Sequence, residues 1–200
     1  MVESNVSPEE VLLMPEQMIK FYAMGAFPMT DSATGKIEWY CPEMRTIIPL
    51  DDFHLPRSLK RVIKENGFDI KFDTDFLSVV KHCGNRKETW ISETLIAAYL
   101  NLQKLGHIHT VEVYQDEKLV GGLYGVTYRG AFFGESMFSI VSQASKVALA
   151  YLLNHLNEKN FVLLDVQYIT DHLKMFGAKE IPFENFSALL RKAYFVETEF

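Results

Sequence analysis

Leu164-Asp165-Val166-Gln167 ends an apolar run that begins at Phe161. A carboxylate in such a place is costly unless it is hydrogen-bonded or put to use. In an extended chain Asp165 and Gln167 project to the same face. An aspartate beside an amide can orient and polarise it, or take a proton from an amine. It can equally cap the helix that follows, and residue type alone leaves both readings open. A second feature is basic: His54-Leu-Pro-Arg57-Ser-Leu-Lys60-Arg61-Val-Ile-Lys64. Arg57, Lys60, Arg61 and Lys64 recur at i, i+3, i+4 and i+7 with no acid among them. Like charges at that spacing repel, so an anion such as a nucleic-acid phosphate accounts for them. A solvated helix face accounts for them too.

Other chemistries find less support. Of His54, His82, His107, His109, His155 and His172, only His107 and His109 share a strand face, and no carboxylate or cysteine stands at ligand spacing. No metal site is expected. Gly134-Glu135-Ser136-Met137-Phe138 opens like a nucleophile elbow, but Phe138 fills the position that needs a small residue. Neither G-x-x-x-x-G-K-[ST] nor G-x-G-x-x-G occurs, so a phosphate-cradling loop is absent.

The elements that must position these residues follow from pattern. The 200 residues carry 20 Lys+Arg against 26 Asp+Glu, a net charge of −6, with 48% hydrophobic and 23% charged residues. That profile excludes a disordered or low-complexity chain. It fits one domain, or one with a small appendage. Residues 1–20 lack a basic region leading into an apolar one, no run is long enough to span a bilayer, and Cys41 and Cys83 suggest no disulfide framework. A reduced cytoplasmic protein without a membrane partner is expected. Ser7-Pro-Glu-Glu10 has a capping-box pattern, Pro15 suits a first helical turn, and Gly25 suits a helix end. A helix is predicted over 56–66, another over 75–82, and a third over 92–105 with Ser92 as its N-cap. Strands are predicted over 37–40, 45–50, 68–72, 109–114, 118–128 and 131–138, with turns at Asp116-Glu117 and Arg129-Gly130. A long helix over 142–157, a buried strand over 161–166, and helices near 172–176 and 186–193 complete a mixed α/β reading.

Several of these segments, in order, resemble the leucyl/phenylalanyl-tRNA–protein transferase family. They include Tyr22-Ala-Met-Gly-Ala-Phe-Pro-Met29, Trp39-Tyr-Cys-Pro-Glu-Met-Arg45, Phe53-His-Leu-Pro-Arg-Ser-Leu59 and Thr89-Trp90-Ile91. Gly106-His-Ile-His109, Leu119-Val-Gly-Gly-Leu-Tyr-Gly-Val126, Gly134-Glu-Ser-Met-Phe-Ser139, Ala144-Ser-Lys146, Leu164-Asp-Val-Gln167 and Phe176-Gly-Ala178 continue the series. The match runs from about residue 15 to 186.

The resemblance implies a small N-terminal domain, residues 1–44, and an acetyltransferase-like (GNAT-like) domain, residues 45–200. It implies transfer of Leu or Phe, less well Met, from aminoacyl-tRNA to the α-amino group of proteins beginning with Arg or Lys, which marks them for degradation. Asp165 and Gln167 match the catalytic pair. Leu123, Phe132, Leu149 and Leu164 match an apolar pocket for the aminoacyl side chain. Gly134 belongs to the same substrate-binding stretch, and Glu135 matches a contact to the aminoacyl-adenosine end, beside Trp90 and Tyr99. Met29 stands where many members carry Trp near the terminal adenosine. Arg57, Lys60, Arg61 and Lys64 would meet the acceptor stem without reading its sequence. No metal and no acetyl-CoA is implied, and the sequence has no Q/R-x-x-G-x-G/A loop for a CoA pyrophosphate. A monomer is expected. Two alternatives remain: a related transferase acting on acidic N-termini, and a non-catalytic tRNA- or peptide-binding module.

Overall fold

A computed structural model of the chain describes residues 8–65 and 67–200. Ser7 of the expected capping box lies outside them. Pro8–Leu12 forms α1, and Pro15–Ala23 forms α2 with its proline in the first turn. Gly25 follows at φ +84°, the left-handed conformation that ends helices and that side chains resist. Phe27–Thr30 (β1) and Ile37–Tyr40 (β2) then pair as a two-stranded antiparallel sheet. The intervening Asp31 side chain accepts hydrogen bonds from the Ala33 and Thr34 amides, which fixes the turn.

Met44–Ile48 (β3) enters a second sheet. Arg57–Glu65 (α3), Asp69–Phe72 (β4), Phe76–Gly84 (α4) and Glu93–Lys104 (α5) follow. Asp75 caps α4 and Ser92 caps α5, each accepting from the amide three residues on. Ile108–Gln115 (β5), Lys118–Tyr128 (β6) and Ala131–Ser139 (β7) form a meander. Ala144–Glu158 (α6), Leu163–Gln167 (β8), Asp171–Lys174 (α7), Lys179–Pro182 (β9) and Phe183–Ala193 (α8) complete the described order. The seven-stranded sheet runs β4-β5-β6-β7-β8-β3-β9, and only its β7–β8 pair is parallel. A mixed α/β fold with a small N-terminal unit is thus what these residues build.

Apolar side chains cover both faces. One face packs Met18, Tyr22, Leu95, Tyr99, Phe133 and Phe186 from α2, α5, β7 and α8. The other packs Leu59, Val147, Leu153, Leu164 and Phe176 around α3, α6 and β8. Gly121 lets α6 approach closely, because a Cβ there would stand 2.4 Å from that of Ala144.

Sequence expectation and structure differ chiefly in four respects. β1 and β9 were not expected: both are short, and each contains a proline that the strand pattern counts against. The last helix begins at Phe183 rather than near Phe186, and the strand expected over 161–166 runs over 163–167. The fourth difference lies in the chemistry of the basic helix, described below.

Candidate active site

β7 and β8 pair only through Ala131–Leu163, Phe132–Leu164 and Phe133–Asp165. Beyond that they part, and a cleft of about 890 Å³ opens between them. Two irregularities bracket the gap. Against β6, Tyr124 pairs with Ser136 and Gly125 with Gly134, so Glu135 is an extra residue in β7. Against β3, Thr46 pairs with Gln167 and Ile47 with Asp165, so Val166 is an extra residue in β8. Such bulges bend strands and re-aim side chains. Gln167 itself sits at φ +63°, a strained conformation for a non-glycine residue.

Asp165 holds that conformation. Its Oδ1 accepts the Gln167 backbone N–H at 2.9 Å. Arg45 grips the same carboxylate through Nε at 2.8 Å and through Nη2, and both side chains are fully buried. Arg45 also donates from Nη1 to the Gly25 carbonyl at 2.8 Å, and its guanidinium lies 4.5 Å from the Phe27 ring centroid and 4.8 Å from that of Phe186. Each side-chain nitrogen and oxygen of the pair has a partner, as a buried ion pair requires.

The Gln167 side chain enters the cleft. Its Nε2 donates to Glu135 Oε1 at 3.2 Å. Tyr22 Oη donates to the same oxygen and Tyr99 Oη to Glu135 Oε2, both at 2.9 Å. Glu135 is 7% exposed. Burial pushes its carboxyl up to about 7, against the pull of the two tyrosine hydroxyls. Burial and the nearby carboxylate hold both phenols well above their ordinary range, so they remain donors.

The cleft walls are apolar where β6, α6 and β8 line them: Leu123, Leu149, Leu152, Leu164 and Val166. Trp90 and Gly134 also line it. Arg86 lies at the other wall, its Nη2 bonded to Ser136 Oγ at 3.2 Å. Ser136 stands inside β7 and not at a strand–helix turn, so it is no nucleophile elbow.

Of the residues singled out in the sequence, the cleft gathers Trp90, Leu123, Gly134, Glu135, Leu149, Leu164 and Gln167, with Tyr99 directly behind Glu135. Asp165 lies beneath Gln167, against Arg45. Met29, in β1, packs on the Tyr22 face, and Phe132 is buried under Gly125; neither lines the cleft. Arg57, Lys60, Arg61 and Lys64 are exposed on α3, whose Leu59 is buried beneath them. The stretch from His54 to Lys64 holds no acid, but the next residue does bear on it: Arg61 Nε pairs with Glu65 Oε2 at 2.8 Å. Sequence reasoning missed Arg45 and Tyr22 as members of the site. The signal was present for Arg45, a lone cation in the otherwise apolar Arg45-Thr-Ile-Ile-Pro-Leu50 strand. Among the described residues no group of three or more His, Cys, Asp or Glu could hold a metal ion.

An apolar cleft that ends in an oriented amide and a shielded carboxylate can hold an apolar side chain with its polar end against a hydrogen-bonding group. Comparison with known proteins gives this site its family. Residues 47–191 match the model of leucyl/phenylalanyl-tRNA protein transferase, and residues 12–43 match that of its N-terminal domain. The leucyl/phenylalanyl-tRNA–protein transferase of Salinibacter ruber (strain DSM 13855 / M31) is 45% identical over 181 residues, which is 90% of this chain and 80% of that relative. The chain belongs to the leucyl/phenylalanyl-tRNA–protein transferase family and is an aminoacyltransferase (EC 2.3.2.6). Among solved structures, L-PGS from Bacillus licheniformis aligns with a TM-score of 0.47 and 12% identity, covering 64% of this chain and 48% of its own. A protein from Staphylococcus epidermidis ATCC 12228 aligns with a TM-score of 0.45 and 12% identity, covering 89% of this chain and 66% of its own. No described helix is long and apolar enough to cross a membrane.

Proposed function

We propose that the chain transfers Leu or Phe, less well Met, from aminoacyl-tRNA to the α-amino group of proteins that begin with Arg or Lys, and so marks them for degradation. The observation that carries this reading is the amide of Gln167 at the end of an apolar cleft walled by Leu123, Leu149 and Leu164. The cleft accepts the aminoacyl side chain, and burial favours Leu and Phe over smaller or β-branched ones. The ester carbonyl then lies near Gln167. The acceptor nitrogen attacks that carbon, a C–N bond forms, and the C–O bond to the ribose breaks. Gln167 Oε1 accepts a hydrogen bond from the attacking amine, which loses a proton as the ribose oxygen gains one. The ester is already activated, so positioning supplies much of the rate. Asp165 acts through Gln167, by holding its backbone. In this reading residues 1–44 are the small N-terminal domain and residues 45–200 an acetyltransferase-like unit that works in the cytoplasm as a monomer. The parallel β7–β8 pair that splays around the cleft supports that unit.

The test is transfer of labelled Leu or Phe from charged tRNA to a peptide beginning with Arg or Lys. Folded protein that transfers from no charged tRNA overturns the reading, and a preference for peptides beginning with Asp or Glu replaces its acceptor. Gln167→Ala should lower turnover about 100-fold, the low end for a positioned proton acceptor, with tRNA binding retained. Asp165→Ala is the poorer probe, since it leaves Arg45 buried and unpaired.

A further inference from the structure

We propose that Glu135 is a positioning residue for the transfer reaction: its carboxylate fixes which end of the Gln167 amide faces the cleft. This rests on the reading of Gln167 as the partner of the acceptor amine. An amide has one donating end and one accepting end, and only Oε1 can accept from an amine. An ionised carboxylate only accepts. Gln167 must therefore turn Nε2 toward Glu135, at 3.2 Å, which leaves Oε1 to the cleft. The opposite orientation would set the carbonyl against the carboxylate and point two donors at the attacking amine.

The carboxylate is itself immobilised. Tyr22 from α2 and Tyr99 from α5 each donate to it at 2.9 Å, and the two hydroxyls lie 3.2 Å apart. The extra residue in β7 aims the side chain into this pocket. Tyr124 from β6, Asp165 from β8 and Arg45 from β3 are the remaining titratable or charged groups that act on it. Burial and Asp165 push the Glu135 carboxyl up, whereas Tyr22, Tyr99 and Arg45 pull it down, and it stands at about 7. Near neutrality it therefore changes state. Once protonated, it accepts a weaker, neutral bond and offers a proton that the Gln167 carbonyl can take. The preference for the productive orientation then falls.

Glu135→Gln keeps the shape and removes the charge. At saturating substrates, the ratio of wild-type to variant kcat cancels the ionisation of the acceptor amine. That ratio should rise about fivefold between pH 5.5 and pH 8.5, with its midpoint near 7, as a charge-assisted bond replaces a neutral one. KM for aminoacyl-tRNA should stay within about twofold, since Glu135 acts on the amide and not on the tRNA. A ratio independent of pH overturns the proposal. So does a raised KM with unchanged kcat, which would assign Glu135 to the aminoacyl-adenosine end. Tyr99→Phe is the second probe, should Glu135→Gln fold poorly. It removes a donor to the carboxylate, so the midpoint of kcat against pH moves up, and an unmoved midpoint also overturns the proposal. If Gln167→Ala turns over at the wild-type rate, the reading of Gln167 fails. If Gln167→Ala is slow and the ratio is flat, only the role of Glu135 fails.

Discussion

Glu135 carries a stability consequence separate from its chemistry. Its carboxyl titrates at about 7 in the folded chain and near 4.5 when unfolded. Between those values the folded state binds more protons than the unfolded one, so stability falls as pH rises from about 4.5 to about 7. Glu135→Gln escapes this loss. Relative to wild type, its unfolding free energy should improve by up to about 3 kcal/mol between pH 5 and pH 8. Denaturant unfolding at the two pH values checks this, and an offset independent of pH contradicts it. Part of this centre is legible from residue types: a carboxylate and an amide two apart at the end of an apolar strand announce themselves. The rest is not, because its partners come from far along the chain. Arg45 lies 120 residues from Asp165 and Tyr22 lies 113 from Glu135. Nothing local about a tyrosine in a helix says that its hydroxyl meets a buried acid. The left-handed backbone at Gln167 is hidden too, since that residue type favours ordinary strand geometry.

The Arg45–Asp165 pair works at the scale of elements. It ties β3 to β8, reaches the turn after α2 through Gly25, and is flanked by rings from β1 and α8. Removing one partner strands a buried charge. Arg45→Met should therefore cost about 3–5 kcal/mol. The double variant Arg45→Met, Asp165→Leu should recover most of that stability and still turn over slowly, because the Gln167 N–H has lost its acceptor. Thermal unfolding and the transfer assay on the same preparations separate the two effects, and full activity in the stable double variant would show that Asp165 is dispensable for holding Gln167. Element type is where the sequence is most readable. Ser92 caps α5 as expected, the helix expected from Asp75 forms with Asp75 as its cap, and the three-stranded meander turns where Asp116-Glu117 and Arg129-Gly130 were expected to turn it. β1 and β9 escape notice because each is four residues long, contains proline and is held by pairing to a partner strand rather than by its own pattern. The two bulges escape for another reason: an extra residue exists only relative to a partner strand, and no single strand reveals it.

For the whole molecule, a net charge of −6 bears on how a polyanion can approach. The net charge repels a polyanion, so binding depends on where the cations lie. α3 packs on α6 near Leu59, and α6 contributes Leu149 and Leu152 to the cleft wall. A tRNA whose 3′ end enters the cleft could therefore lay its acceptor stem over α3. Arg57, Lys60 and Lys64 are exposed there, whereas Arg61 is already paired with Glu65. Each phosphate neutralised releases counterions, so affinity falls with salt in proportion to the contacts made. Replacing Arg57, Lys60 and Lys64 together by Ala should weaken binding of charged tRNA and lower the slope of log affinity against log salt by about 2 to 3. Turnover at saturating tRNA should be unchanged, since these residues stand outside the cleft. Arg61→Ala should change the slope by less than any one of the other three, because Glu65 already offsets its charge. Titrations across a range of salt concentrations read both effects. A triple variant with the wild-type slope would make α3 an ordinary solvated face, and a slope change from Arg61→Ala as large as from Lys60→Ala would mean that tRNA displaces Glu65 from its partner.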